Sequence, residues 1–178
     1  MEKAAREAKT HTSWLRIDEP YEAALTDFID SLLTDEAFVS DLENFVTPLV
    51  EPGRVNSLAQ TLIKLTAPGV PDIYQGNELW DLSLVDPDNR RAVDYRQRRR
   101  LLQGLSKATP ESILAASDEG LPKLWVIRQG LGLRRQRPEA FGSDANYRPL
   151  TTGGRRADHV VTFSRGDDSI VTVVPRLI

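Results

Sequence analysis

The stretch KLTAPGVPDIYQGNELWDLSLVDPDNRRAVDY, residues 64–95, decides how the rest of the chain is interpreted. It begins as the end of an amphipathic helix, breaks at Pro68-Gly69, continues as the short apolar run Val70–Tyr74 and then enters a long polar segment. This order predicts a helix, a buried strand and a loop, which together form half of the repeating unit of an α/β barrel. In such barrels the loop after a strand lines the active site.

The polar loop has the chemistry of a site for hydroxyl-rich ligands. Carboxylates and amides exchange hydrogen bonds with vicinal hydroxyls, and an indole ring offers an apolar face. We expect the substrate-binding side chains to come from this loop and from the tyrosine before it: Tyr74, Glu78, Trp80, Asp81, Asp86, Asp88, Arg90 and Arg91.

Some of these residues have two interpretations. Glu78 either faces a substrate or makes a structural ion pair with a neighbouring segment. Arg90 and Arg91 either bind sugar hydroxyls or hold the adjacent carboxylates, and the planar guanidinium group favours the second role.

Several strings of the sequence closely resemble malto-oligosyltrehalose synthases, a family of the α-amylase clan of glycoside hydrolases. The pattern G-x-P-x-x-Y-x-G-x-E in residues 69–78 resembles the eighth-strand region of that clan, and the longer string ELWDLSLVDPDNRR is more specific to the family. The resemblance runs almost from end to end of the chain. The other strings that carry it are REAKTHTSW (6–14), NSLAQTLIKLTAPG (56–69), HVVTFSR (159–165) and VVPRL (173–177).

The resemblance implies a C-terminal fragment of an intramolecular transglucosylase of trehalose biosynthesis. Such an isomerase converts the reducing-end α-1,4 linkage of a maltooligosaccharide into an α,α-1,1 linkage. The clan's catalytic carboxylates lie on earlier strands, so the resemblance implies no catalytic residue here and an inactive isolated chain. It also implies maltooligosaccharide as the partner in the full enzyme, without a cofactor or metal. The alternative is a non-catalytic carbohydrate-binding or protein-interaction module.

The length of the chain agrees with a fragment, because a complete (β/α)8 barrel needs about 250 residues and this chain has 178. We expect an α+β fold, mainly α, in which helices of an incomplete barrel precede a small antiparallel C-terminal sheet. Residues 1–107 are assigned to the last portion of the barrel, and residues 108–178 to a helix and the start of a C-terminal β domain. A barrel strand without neighbours exposes unpaired N–H and C=O groups and apolar side chains that can bind another chain. We therefore also expect self-association near Val70.

Periodicity and end signals predict the individual elements. A first helix covers the N-terminus, a second begins before Pro20, and a third runs from Asp35-Glu36 to a break at Pro52-Gly53. The phenylalanines of these helices are assigned to a core. Further helices are expected at Val55–Thr66, Tyr95–Leu105 (capped by Asp94), Pro110–Ala116 and Pro122–Gln136, followed by strands at 147–150, 159–165 and 169–175.

Composition and charge narrow the class of protein. The chain has no cysteine, no apolar run of about 18 residues and no N-terminal apolar core, so we expect a cytoplasmic location and no membrane partner. Residues 1–89 carry a net charge of −11 and residues 90–178 a net charge of +8. We expect the halves to neutralise each other in part. A nucleic-acid partner is not expected, because the arginine-rich segments contain few aromatic residues.

Overall fold

The computed structural model describes residues 1–84 and 86–177. As predicted, this part of the chain is mainly helical and carries a small antiparallel sheet. It forms two compact units. The first unit comprises Met1–Val50 and Ser83–Arg91, and the second comprises Glu51–Leu82 and Ala92–Ile178. The predicted division at residue 107 refers to the architecture of a complete barrel enzyme and stays a prediction.

The predicted helix starts agree with the capping contacts of the structure. Asp18 accepts a hydrogen bond from the backbone N–H of Tyr21, and Asp94 accepts bonds from the N–H groups of Arg96 and Gln97, which confirms Asp94 as a cap. The helices are α1 (Glu2–Ala8), α2 (Glu19–Thr34), α3 (Glu36–Thr66), α4 (Tyr95–Gly104), α5 (Pro110–Ala115) and α6 (Leu121–Gln136).

The predicted helix break at Pro52-Gly53 is wrong, because α3 continues through both residues. A proline in a helix interior removes one hydrogen bond and costs about 3 kcal/mol. The later turns of α3 offset such a cost by burying Ala59, Thr61 and Leu65 in the second unit. Local sequence alone does not contain that tertiary contribution.

The predicted strand Val70–Tyr74 is also wrong, since this segment has no regular secondary structure. A strand needs a neighbour to pair its N–H and C=O groups, and none of the described strands pairs with it. Val70 is 95% exposed. An isolated apolar run with Pro71 at its second position therefore remains an irregular connection.

The assignment of the phenylalanines to a core is wrong for the first unit. Phe28, Phe38 and Phe45 are all exposed, and Thr12 is the one buried side chain among the described residues of this unit. Their helical spacing indicated an apolar helix face correctly, but spacing does not show what covers that face.

The second unit contains the packed core. A cluster of buried side chains from the loop after residue 78 and from the later helices comprises Leu79, Leu105, Ile113 and Leu124. Elsewhere in this unit α6 approaches α3 closely, because Gly130 lies against the fully buried Leu65. No helix among the described residues is long and apolar enough to cross a membrane.

The C-terminal sheet has the order β1-β2-β3, with both pairs antiparallel. Its strands are β1 (Tyr147–Pro149), β2 (Val160–Arg165) and β3 (Ile170–Pro175). A hairpin of two strands alone is only marginally stable, and the pairing of β1 with β2 adds the third strand that such a hairpin needs. The ring centroids of Tyr147 and Phe163 lie 5.2 Å apart.

Candidate functional site

The eight predicted substrate-binding residues are divided between the two units. The second unit contains Tyr74, Glu78, Trp80 and Asp81, and the first unit contains Asp86, Asp88, Arg90 and Arg91.

Glu78 makes a structural ion pair, the second of its two predicted interpretations. Its Oε2 accepts a hydrogen bond of 3.0 Å from Nε of Arg98, and both side chains are mostly buried. The same guanidinium donates from Nη2 to the carbonyl oxygen of Gly76 at 2.7 Å. Arg98 on α4 thereby fixes the turn that contains Glu78.

Trp80 is likewise held by protein contacts. Its Nε1 donates to the carbonyl oxygen of Ser117 at 2.5 Å, and the guanidinium of Arg54 lies 6.0 Å from its ring centroid. Tyr74 and Asp81 are exposed. This half of the predicted site therefore contains two partly buried side chains, Glu78 and Trp80, and two that lie at the surface.

In the first unit the predicted site residues form ion pairs with one another. Asp86 pairs with Lys3 of α1 and with Arg90, and Asp88 pairs with Arg91. Spacings of three and four residues suit such contacts within one helical turn, and Asp88–Arg90 is a 3₁₀ turn. The arginines thus hold carboxylates, which was the favoured interpretation.

A cleft of about 740 Å³ opens beside these ion pairs in the first unit. One part of its wall is apolar, with Trp14, Leu84 and Pro87, and the other part is charged. The charged side chains that line it are Glu2, Lys3, Asp86, Asp88 and Arg91. A cleft that combines apolar walls with a few convergent polar groups is the usual form of a small-ligand site.

A partly buried network fixes the wall of this cleft. Arg6 of α1 forms a bidentate pair with Glu22 of α2, with N–O distances of 2.8 and 2.7 Å, and Thr12 donates to the same carboxylate at 2.7 Å. The Arg6 and Thr12 hydrogen bonds lower the pKa of Glu22 to about 2. The network positions Trp14, whose Nε1 donates to Glu7 at 3.0 Å and whose ring centroid lies 5.0 Å from the guanidinium of Arg6.

Sequence reasoning did not assign Trp14, Lys3 or Arg98 to the site. Lys3 of α1 and Arg98 of α4 contact the loop from helices outside it, and Trp14 lines the same cleft as part of the loop, so spacing along the chain contains no direct signal for them. For Trp14, the resemblance of the string REAKTHTSW was the available indication. Within the described residues, no group of three or more His, Asp and Glu side chains could hold a metal ion.

Comparison with curated sequences and comparison with solved structures identify the same kind of protein. The chain is 45% identical to a putative maltooligosyl trehalose synthase of Mycobacterium tuberculosis over 172 residues. The structure of maltooligosyltrehalose synthase from Arthrobacter ramosus matches with a TM-score of 0.84 and 40% identity. This chain is related to the maltooligosyl trehalose synthases. A hypothetical maltooligosyl trehalose synthase of Sulfolobus tokodaii matches with a TM-score of 0.80 and 32% identity. No protein-family model matches the chain.

The match covers nearly all of this chain but a small share of each relative. It covers 97% of the chain and 20% of the Mycobacterium tuberculosis maltooligosyl trehalose synthase. For the Arthrobacter ramosus structure the shares are 98% and 22%, and for the Sulfolobus tokodaii structure 97% and 22%. The part matched is the C-terminal part of these synthases.

Proposed function

We propose that this chain functions as a segment of an enzyme that rearranges the reducing end of maltooligosaccharides. The reaction converts the terminal α-1,4 linkage into an α,α-1,1 linkage and yields a trehalosyl end. The observation that supports this proposal is the match over 97% of the chain at 45% identity, to about a fifth of a synthase. The remaining sequence of the relatives then carries the other parts of such an enzyme.

The catalytic carboxylates are proposed to lie outside this chain. Retaining glycoside chemistry needs one carboxylate as nucleophile and a second as acid, about 5–5.5 Å apart. Asp86 and Asp88 are the candidates for such a pair because they are close in sequence. However, Asp86 forms ion pairs with Lys3 and Arg90, and Asp88 forms one with Arg91. Carboxylates paired in this way orient neighbouring groups, and a nucleophile needs free access to the sugar.

The barrel origin of residues 1–107 forms part of the same proposal. In the complete enzyme, Val70–Tyr74 would have parallel neighbours and become the eighth strand, followed by the loop that lines the substrate cleft. The irregular conformation of this segment here is the expected form of a barrel strand without partners.

The first-unit cleft is the proposed place where this chain contacts the glucan. A carboxylate has about four lone-pair positions, and Asp86 uses one oxygen for Lys3 and the other for Arg90. Each oxygen can accept a further bond from a sugar hydroxyl, and the cations keep both oxygens in a fixed position. The ion pairs therefore pre-organise acceptors beside the cleft.

The proposed contact can be tested by calorimetric titration of the purified chain with maltopentaose. Asp86→Ala removes an acceptor and releases Lys3 and Arg90, so we expect a dissociation constant at least tenfold higher than that of the original chain. Glu139→Ala is the matched control, because Glu139 likewise pairs with an arginine, Arg137, and is not among the residues that line the cleft. Equal affinity of all three proteins would contradict the proposed contact.

The same protein allows a test for turnover. We expect no trehalosyl product and no hydrolysis from maltopentaose with the chain alone, measured by chromatography of the sugars. Turnover by the pure chain that disappears in Asp86→Ala or Asp88→Ala would contradict the proposed location of the catalytic carboxylates.

A further inference from the structure

We propose that Trp14 is the stacking platform for a glucosyl ring in the first-unit cleft. This inference rests on the proposed function and makes it more specific, because it names the side chain that recognises the apolar face of the sugar. Trp14 is not part of the loop that the sequence assigned to substrate binding.

The indole ring is available to a ligand and is held in one orientation. Trp14 is 50% exposed and lines the cleft. Its Nε1 is bonded to Glu7 at 3.0 Å, and the guanidinium of Arg6 lies 5.0 Å from the ring centroid. Arg6 is itself fixed by Glu22 at two positions. A ligand that stacks on this ring therefore does not have to immobilise it first.

The contacts around Trp14 exceed what packing alone requires. A tryptophan that served only to fill a gap would bury its ring, because burial of aromatic surface is what stabilises the fold. Here two polar side chains of α1, Glu7 and Arg6, hold an indole that remains half exposed at the edge of a cleft. Such a half-exposed, fixed aromatic ring is a feature of binding surfaces.

The composition of the cleft selects the class of ligand. The three carboxylates that line it are all ion-paired, Glu2 with Arg6, Asp86 with Lys3 and Arg90, and Asp88 with Arg91. These charges compensate one another, so the cleft favours a neutral ligand over an ionic one. An apolar ligand would desolvate the ion pairs without offering them a hydrogen bond. A sugar ring suits both parts of the wall, because its apolar face can stack on Trp14 and its hydroxyl groups can donate hydrogen bonds to Asp86.

The chain contains three tryptophans, and the other two provide comparisons. Trp80 donates its N–H to Ser117 in the second unit. Trp125 lines an apolar cleft of the second unit with Leu58, Ile113 and Leu114, without a charged residue among the lining side chains. Trp125 is thus a partly exposed tryptophan in surroundings unsuited to a polyhydroxylated ligand, and Trp125→Phe is a matched control for Trp14→Phe.

The test combines calorimetry and tryptophan fluorescence with maltopentaose as the probe. We expect Trp14→Ala to raise the dissociation constant about tenfold, Trp14→Phe to raise it by a smaller factor, and Trp125→Phe to leave it unchanged. Maltopentaose should change the emission of the original chain and of Trp125→Phe, and this change should be absent from Trp14→Phe. Because phenylalanine keeps an aromatic ring, Trp14→Phe gives an answer even if Trp14→Ala does not fold.

The outcomes separate this inference from the proposed function. If both Trp14 variants bind maltopentaose as tightly as the original chain while Asp86→Ala binds more weakly, the stacking role is wrong and the glucan contact stands. If the Trp14 variants and Asp86→Ala are all weakened, both are supported. If the original chain does not bind maltopentaose, both the stacking role and the proposed glucan contact are overturned.

Discussion

Gly130 and Gly132 lie two residues apart in α6 and have opposite surroundings. A Cβ atom at Gly130 would lie 2.8 Å from Cδ1 and 3.1 Å from Cβ of Leu65, whereas no atom lies within 4 Å of a Cβ placed at Gly132. Alanine has a better helix propensity than glycine by about 1 kcal/mol. An alanine at position 132 therefore tests helix propensity alone, and an alanine at position 130 tests the packing of α6 against α3.

We expect Gly132→Ala to raise the free energy of unfolding by about 0.5–1 kcal/mol, because it improves the helix without a new contact. Gly130→Ala should lower it by about 1–3 kcal/mol, because the methyl group overpacks the contact between α6 and α3. Urea denaturation of the two variants measures both effects. Equal stabilisation by both substitutions would mean that α6 does not approach Leu65 as closely as described.

Glu22 links the stability of the first unit to pH. Its pKa in the folded chain is about 2, mainly because Arg6 donates hydrogen bonds to it, and the ordinary value is 4.5. A carboxyl group with a lowered folded pKa contributes stability that is fully present above 4.5 and is lost as the pH falls towards 2.

We therefore expect Glu22→Gln to be less stable than the original chain at pH 7 and to lose less stability between pH 4.5 and 2. Thermal unfolding followed by circular dichroism over this range measures the difference. Asp27→Asn is the control, since Asp27 is exposed on the same helix. If Glu22→Gln and Asp27→Asn had the same acid profile, the Arg6–Glu22 pair would not stabilise the folded state.

At the scale of elements, two arginines determine how α3 ends. Arg134 donates to the carbonyl oxygens of Leu65 and Gly69, each at 3.1 Å, and Arg165 of β2 donates to the carbonyl oxygen of Thr66 at 3.4 Å. The last carbonyls of a helix lack partners inside it and carry a partial negative charge. The end of α3 thereby compensates for the burial of Arg165, which is 2% exposed.

Replacement of this buried arginine tests the importance of the helix end. We expect Arg165→Met to lower the free energy of unfolding by about 2–3 kcal/mol, because the backbone carbonyl groups of Thr66 and Asn146 lose the hydrogen bonds that Arg165 donates to them. Arg155→Met, at an exposed position, should have little effect. Chemical denaturation of both variants measures the difference, and an unchanged stability of Arg165→Met would show that water replaces the guanidinium group.

The sequence predicted those elements whose cause is local. The cap at Asp94, the hairpin of β2 and β3 and the ion pairs of Arg90 and Arg91 all depend on residues a few positions apart. The failures depend on distant groups. Val70–Tyr74 has no described strand to pair with, and α3 passes Pro52-Gly53 because its later turns are buried. Trp14 is held by Glu7 and Arg6 across the turn after α1, and Arg6 is in turn held by Glu22 on α2. Spacing along the chain contains none of these contacts.

At the scale of the whole molecule, the first unit exposes an apolar stripe on an acidic helix. Phe38, Leu42, Phe45 and Leu49 recur at helical spacing on α3, and all four are exposed. Between Arg16 and Arg54 the chain contains no lysine or arginine. A contiguous exposed apolar surface of this kind is typical of an interaction site, and it promotes association when nothing covers it.

We expect the purified chain to self-associate, with the weight-average mass rising with concentration in sedimentation equilibrium. Phe45 is 68% exposed in the middle of the stripe, so Phe45→Glu should lower the association constant by about tenfold or more through lost apolar burial. Val70→Glu tests the contact near Val70 that the sequence predicted, and Val171→Glu on β3 is a control at another exposed apolar position.

Loss of association only in Phe45→Glu would locate the contact on α3, and loss only in Val70→Glu would locate it at the irregular segment. A strictly monomeric original chain at the highest concentration would contradict self-association.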